Sequence, residues 1–451
     1  MNIFNLLRPD PPAPKIADQD KVKKAYRYWR LRIFYSIYAG YALYYFTRKS
    51  FAFVMPVLEG HLGYGKTELG FILSLLGISY AVSKLLNGVV ADKANLRLLM
   101  SMGLILTGVC NLFCGFSSSI TFFAVFIGIN GLFQGWGAPP CAKLLTYWYS
   151  RKERGRWWGL WNTSHNLGGA VIPLVCAFTA HHLGWRYAFH LPGILAIFVG
   201  FILMNRLRDR PSTVGLPAIE IFRGDCEETD GTSKGKEEKA LSSREILVEY
   251  VLKNKFIWLL GIAFFFVYII RQIMNDWFMY FVNETRGYGL LAAGAGVALF
   301  EVGGALGALI AGWLSDTVFM GRRAPVNILF SLGILAALFA VWSIPAGNIW
   351  LLAGAMFLMG FFVFGPQMLI GMAAAELAHK EAAGTATGFV GFFAYLGGVV
   401  AGGPCGKIIA TFGWSVLFRA LGGCALITVF LLVPLLWEKV RTPAVGTKSA
   451  G

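Results

Sequence analysis

Twelve stretches of predominantly apolar residues, separated by short polar links, run along the chain near 33–56, 68–91, 98–116, 119–147, 157–183, 187–206, 256–283, 289–314, 325–344, 348–375, 383–411 and 413–437. A helix needs about 20 residues to cross a roughly 30 Å hydrocarbon core, so each stretch predicts a membrane-spanning helix. Several are long because Gly, Pro and polar residues interrupt them, which is tolerated where those residues face protein or a water-filled cavity. Between the sixth and seventh lies the one long polar stretch, 207–255. Its core, CEETDGTSKGKEEK, is charged and Gly/Ser-bearing and predicts a flexible cytoplasmic linker. The expected layout is an all-α membrane protein with an N-terminal segment at 1–32, six-helix bundles at 33–206 and 256–437, and a tail at 438–451.

Lys and Arg set the orientation, because short cytoplasmic loops collect them. Links after even-numbered spans hold Lys93 and Arg97, then Arg151, Lys152, Arg154 and Arg156, then Arg322 and Arg323, then Lys380. The 3/4 and 9/10 links have none. Both termini are therefore expected in the cytoplasm. The two halves also repeat each other. Gly88-Val-Val-Ala-Asp92 with Arg97 follows the second span, and Gly312-Trp-Leu-Ser-Asp316 with Arg322 and Arg323 follows the eighth, at an offset of 316 − 92 = 224. Arg151-Lys-Glu-Arg-Gly155 pairs with His379-Lys-Glu-Ala-Ala-Gly384, and Gly168-Gly169 with Gly397-Gly398, at 397 − 168 = 229. Two pseudo-symmetric bundles that rock about a midplane site are built in this way. The Gly, Asp and Arg/Lys loop motif resembles the signature of the major facilitator superfamily.

Composition agrees and excludes other classes. Hydrophobic residues make up 56% and charged residues 14%, too apolar for a water-facing surface. Glycine occupies 54 of 451 positions, as suits helices that approach closely. A net charge of +16 invites a nucleic-acid reading, yet the cations lie between apolar runs, which argues against nucleic acid as a partner. Six of the seven cysteines (110, 114, 141, 176, 226, 405 and 424) lie in or beside apolar stretches, and none forms a CxxC or a Cys/His pattern. They read as small buried hydrophobes. The basic first thirty residues have no apolar run that would make a cleavable signal. No P-loop, HExxH, GxSxG or nucleotide fingerprint occurs, so neither an enzyme nor a cofactor is expected.

Charges inside spans cost about 2.5–3.5 kcal/mol each at mid-bilayer, which makes each a functional candidate. The first span carries Arg48 and Lys49 after Tyr41, Tyr44 and Tyr45 in GYALYYFTRKSF; positions 41, 45 and 48 share a helical face. Lys84 follows Tyr80 by one turn. VYIIRQIMNDW places Arg271 beside Tyr268, then Asn275 and Asp276, and Glu301 lies on the eighth span. Because 271 − 48 = 223, within one residue of the repeat offset, the two arginines are expected to face one another across a central cavity. Arg48, Lys49, Lys84 and Arg271 against Asp276 and Glu301 leave a balance of +4 − 2 = +2. A phosphate monoester carries about two negative charges at neutral pH, and a guanidinium presents paired donors to its oxygens. WNTSHNLGG adds Asn162 and His165 one turn apart; a histidine can donate to phosphate in either protonation state. Tyr395 and Phe364 are candidate cavity walls.

At these residues the chain resembles the organophosphate:phosphate antiporter family of the major facilitator superfamily. The matches YYFTRKSF, FQGWGAPPCAKLLTYWYSRKERG, WNTSHNLGG, EYVLKNKFIWLL, VYIIRQIMNDW, LFEVGG and FGPQMLIGMAAAE are spread over residues 25–437. The resemblance leans toward the hexose-phosphate members. It implies that Arg48 and Arg271 grip the phosphate with His165 and Lys84 nearby, and that Lys49, Asp276 and Glu301 form exchangeable ion pairs; from their positions beside these charges, Tyr41, Tyr45, Asn162, Tyr268 and Tyr395 are expected to line the pocket. Two departures stand out. The hexose-phosphate carrier has an Asp and a Lys three apart on the eleventh helix, where this chain has Thr387 and Val390, and the glycerol-3-phosphate carrier has Tyr where this chain has Phe364.

The leading expectation is an antiporter in a bacterial inner membrane, exchanging external hexose phosphate, foremost glucose 6-phosphate, for internal inorganic phosphate, with membrane lipid around it. The alternative is a hexose-phosphate receptor signalling to a membrane histidine kinase. A third reading is a proton-coupled symporter of a small organic anion with Asp276 or Glu301 as proton site.

Overall fold

The structure, a computed structural model, describes residues 10–224, 246–378 and 382–437, except for the side chains at 85, 88–93, 151–152, 246–247 and 383–384. Lys93, Arg151, Lys152, Lys380, Cys226, the linker core and the tail therefore lie outside the described side chains or residues. The helices in chain order are α1 Gln19–Leu62, α2 Lys66–Lys93, α3 Leu96–Phe116, α4 Ile120–Trp148, α5 Arg151–His182, α6 Tyr187–Arg206, α7 Lys255–Asp276, α8 Leu290–Thr317, α9 Arg323–Ser343, α10 Ile349–Leu377, α11 Ala383–Ala401 and α12 Gly403–Leu432.

The sequence marks many of the boundaries. Asp18 caps α1 by accepting from the Asp20 and Lys21 amides, and Gly63, at φ 72°, ends it in the left-handed region that glycine adopts without strain. Ser150 and Glu153 form a capping box at the start of α5. Gly413 (φ 77°, ψ 177°) breaks the helix that begins at Gly403, so residues 403–412 prolong α11 and the remainder forms the twelfth span. α7 is prolonged likewise by a short helix, Phe278–Arg286.

Packing repeats between the halves. α1 packs on α5, α2 on α4 and α3 on α6; correspondingly α7 packs on α11, α8 on α10 and α9 on α12. The halves meet through α2 against α11 and α12, and through α5 against α8. Among the described residues the long helices thus form two related six-helix bundles.

Among the described residues, eight helices are long and apolar enough to cross a membrane, one of them running Thr385–Leu436 through the Gly413 turn. α1 and α5 fall short of that apolarity. They carry Arg48, Lys49, Asn162 and His165, so the polar residues that lower it belong to the site they enclose.

The core of the 207–255 stretch, on which the expectation of a flexible linker rests, lies outside the described residues; the residues before it are packed. A short helix at Ile219–Arg223 lies against the N-terminal end of α1, with Phe222 stacked on Tyr26 at 4.1 Å. Glu153 pairs with Arg30 at 2.6 Å and with Arg223 at 3.1 Å, and Trp148 donates to the Arg208 carbonyl. This terminal face of the molecule is where α1 begins and α6 ends.

Candidate functional site

The far face, opposite the termini, is closed between the halves. Gly70 on α2 has no side chain because a Cβ there would lie 2.8 Å from the Gly402 carbonyl. Nearby, Ser74 donates to the Val399 carbonyl (2.6 Å) and accepts from the Gly403 amide (2.7 Å). Lys66 pairs with Glu284 at 2.7 Å, and Tyr280 donates to Glu59. At mid-depth Gly169 of α5 lies so near Glu301 of α8 that a Cβ would be 2.8 Å from the carboxyl carbon.

Below this seam lies a central chamber of about 360 Å³, continuous with a narrower pocket of about 60 Å³ toward the far face. Tyr45, Arg48, Tyr80, Tyr268, Arg271 and Tyr395 line both. Lys84, Asn162, Gln367 and Thr387 line only the chamber, and all lie toward the terminal ends of their helices, so the chamber opens to the terminal face. Its volume falls in the range of ordinary small-molecule sites.

α1 and α7 occupy related places in the two halves, and each delivers one arginine. The Arg48 guanidinium lies over the rings of Tyr45 and Tyr80, 4.5 Å from each centroid, and its Nε donates to Gln134 at 3.0 Å. Arg271, 5% exposed, lies over Tyr268 and Phe364 at 5.2 and 4.9 Å and donates to the Tyr268 hydroxyl at 3.0 Å. Nη2 of Arg48 and Nε of Arg271 are buried without a hydrogen-bond partner. Buried donors left unpaired are costly, and here they are donors that a phosphate oxygen would satisfy.

The other expected residues fall around this pair. Lys84 donates to the Tyr395 hydroxyl across the halves. His165 lies between Tyr45 and Phe364, with ring centroids at 5.8 and 6.0 Å, and its buried Nε2 has no partner. Tyr41 and Asn162 line the chamber wall. Phe364 backs Arg271 and His165 from behind the lining. Lys49 and Asp276 form a buried ion pair between the halves at 2.5 Å, and Gln272 donates to the second Asp276 oxygen at 2.6 Å. Glu301 differs from its expected place in that ion-pair set: it is 1% exposed and accepts from Asn275 at 2.8 Å and Asn166 at 3.0 Å, so amides hold it instead.

Electrostatically the chamber is one-signed. Among the described residues its lining carries Arg48, Lys84 and Arg271 and no acid, while Lys49 and Asp276 cancel deeper in. Sequence reasoning passed over Gln134, Asn166, Gln272 and Gln367. Each is an amide inside a span, and that cost, the same that flags a charge, is the signal that would have found them.

The Major Facilitator Superfamily profile matches residues 37–402. The chain is 50% identical over 442 residues to a protein of Chlamydia trachomatis (serovar D) described as a probable hexose phosphate transport protein, covering 96% of this chain and 97% of that one. It is 48% identical to the membrane sensor protein UhpC of Escherichia coli K12, with 96% and 97% covered. It is 35% identical to the hexose-6-phosphate:phosphate antiporter of Salmonella typhimurium LT2, with 88% of each covered.

Proposed function

The chain belongs to the Major Facilitator Superfamily and, within it, to the organophosphate:phosphate antiporter family, and on that premise we propose that it exchanges external hexose phosphate, foremost glucose 6-phosphate, for internal inorganic phosphate by alternating access. Sugar-phosphate transport is the activity named for its relatives. The observation that carries the reading is the pair of arginines, one from each half, entering one chamber with buried donors unpaired. Phosphate is the guest they suit. Its oxygens accept from both guanidinium groups at once, with His165 and Lys84 within the same chamber.

The charge of the chamber gives the reason for exchange. Three cations line it with no acid among them. Closing the halves over an empty chamber would bury them unpaired, and burying an unpaired ion costs several kcal/mol even after relaxation. A doubly negative guest lowers that cost, and inorganic phosphate and a phosphate ester both provide it. The return stroke therefore needs an anion, which couples the two fluxes without another ion. Arg97, Arg154, Arg322 and Arg323 lie toward the terminal face, and we place that face in the cytoplasm of a bacterial inner membrane on the positive-inside pattern. The closed seam then faces outward and the structure is the inward-open state.

Proteoliposomes loaded with labelled phosphate test this. External glucose 6-phosphate should release the label rapidly, and phosphate-free buffer should not. Equal release with and without the external ester would refute exchange. Identity of 48% to a membrane sensor protein supports a second reading, a receptor that binds the same ester and signals to a membrane histidine kinase. That reading predicts tight binding of glucose 6-phosphate with slow release of label.

A further inference from the structure

The arginines account for the deep end of the chamber and leave its terminal side unexplained. His165 of α5 and Phe364 of α10 stack across the halves, with rings 6.0 Å apart and 14° from parallel. Asn162 lies three residues before His165, and α5 runs away from the terminal face; Gln367 lies three residues after Phe364, and α10 runs toward it. Three residues advance a helix by about 4.5 Å. The two amides thus form a layer about one turn below the His165–Phe364 contact, one from each half, and both line the chamber.

The chemistry of this layer differs from that of the layer above. Oε1 of Gln367 is buried with no hydrogen-bond partner. It is an acceptor, which the phosphoryl group of an ester dianion cannot satisfy; inorganic phosphate has a single P–O–H and, held by the arginines, lies about one turn away from Gln367, whereas a sugar extending from the phosphate brings several O–H donors to this level. Asn162 adds an exposed amide on the facing wall, and the rings of Trp161 and Phe264 flank the same space. Amides for hydroxyls and flat rings for a C–H face are the complement of a sugar. A guest carrying an ammonium at this level would also supply donors, but it would stand in a chamber that already holds three cations and no acid.

We propose that Gln367, with Asn162 facing it, reads the hydroxyls of the guest while the arginines hold its phosphate, so that these two residues set the preference for a phosphate ester whose organic part is uncharged and hydroxylated over inorganic phosphate. The inference rests on the phosphate-site reading above. It divides the chamber into a deep layer common to both guests and a terminal layer that only the ester reaches. A site built to bond a hydroxyl rejects a guest that lacks it because the protein group is left unpaired.

Equilibrium binding to the purified full-length chain tests it, since binding is required of a carrier and a receptor alike. Labelled phosphate is displaced by unlabelled phosphate, by glucose 6-phosphate and by its 2-deoxy and 3-deoxy analogues. For Gln367→Leu the affinity for glucose 6-phosphate should fall about tenfold, the loss expected for one hydrogen bond of about 1.4 kcal/mol, while inorganic phosphate binds within about twofold of the parent. Asn162→Ala, in an exposed position that tolerates truncation, should act in the same direction. At least one deoxy analogue should bind both parent and Gln367→Leu equally weakly. If the parent binds neither phosphate nor ester, the phosphate-site reading falls and this inference with it. If the parent binds both, and Gln367→Leu and Asn162→Ala weaken both guests in proportion or leave both unchanged, the phosphate site stands and the hydroxyl layer is refuted.

Discussion

Replacing Arg271 by lysine keeps a positive charge on α7 and removes the planar fork. Arg271 is 5% exposed, spread over Tyr268 and Phe364 at 5.2 and 4.9 Å, and oriented by the Tyr268 hydroxyl. A lysine ammonium is a point charge that cannot lie flat between two rings and still present paired donors. Cation–π contacts contribute about 0.5–2 kcal/mol each when desolvated. A hydrogen bond to a charged group contributes about 1.5–3 kcal/mol. Losing one charge-assisted bond and part of the ring contact costs about 3 kcal/mol, roughly a hundredfold in affinity. The assay is displacement of labelled phosphate from the purified Arg271→Lys chain, with size-exclusion behaviour and melting temperature as checks on folding. Phosphate exchange in proteoliposomes should be lost in parallel. A well-folded Arg271→Lys variant that binds phosphate within about threefold of the parent would show that charge alone suffices, and would refute the argument from the fork.

Two further outcomes follow from regions outside the chamber. Gly70→Val places a side chain against the Gly402 carbonyl and Trp277, where a Cβ alone already approaches to 2.8 and 3.1 Å. Closure of the far face should be blocked and exchange should fall more than tenfold; a Ser74→Cys probe in the seam should then label faster with a membrane-impermeant maleimide in the Gly70→Val background than without it. Unchanged labelling would show that this seam does not open. Asp209, 1% exposed beyond the end of α6, accepts from the Arg97 amide at 2.9 Å, and burial pushes its carboxyl up to about 6. A raised carboxyl holds its proton more tightly in the folded chain than in the unfolded one, so stability is greatest below about pH 4 and falls as the pH rises through 6. Asp209→Asn keeps the bond from Arg97 and removes the titration. It should melt higher than the parent at pH 7.5, by the equivalent of about 1–3 kcal/mol, with the gap closing toward pH 4.5; a gap that does not vary with pH would exclude the burial argument.

Much of the fold was readable along the chain because a bilayer turns hydropathy into geometry. The Gly413 break fell between the eleventh and twelfth apolar stretches, and the repeat offset brought Arg48 and Arg271 into one chamber. The packing of the residues just after α6 is not legible in the sequence because its cohesion is tertiary: Phe222 on Tyr26, and Glu153 shared by Arg30 and Arg223, are contacts between residues far apart in sequence. The ion-pair role expected of Glu301 rests on the family resemblance, which carries charged positions over without the amides around them. Asn166 and Asn275 satisfy it from two halves of the molecule, and no periodicity encodes such a meeting. Gln367 escaped for the same reason: an uncharged amide in FGPQMLIG leaves the hydropathy of α10 high while placing one acceptor in the chamber.

The polar groups at mid-depth also explain how one fold can hold two opposed openings. Lys49 on α1 and Asp276 on α7 pair at 2.5 Å, and Asn166 on α5 meets Glu301 on α8 at 3.0 Å, so both contacts run between the halves. Arg48 and Arg271 are the immediate or near neighbours of that ion pair on the same two helices. An anion bridging the arginines therefore acts on α1 and α7 at the level where those helices are already tied. It adds attraction between the halves in any state that brings both guanidiniums to it, and the gain vanishes when either half swings away. The far seam adds small-residue contacts at Gly70–Gly402, which cost little to part because they bury no charge, together with the Lys66–Glu284 pair, which has solvent to return to. The energetic weight of closure thus sits beside the bound anion, which is what a guest needs if its presence is to decide which way the chamber opens.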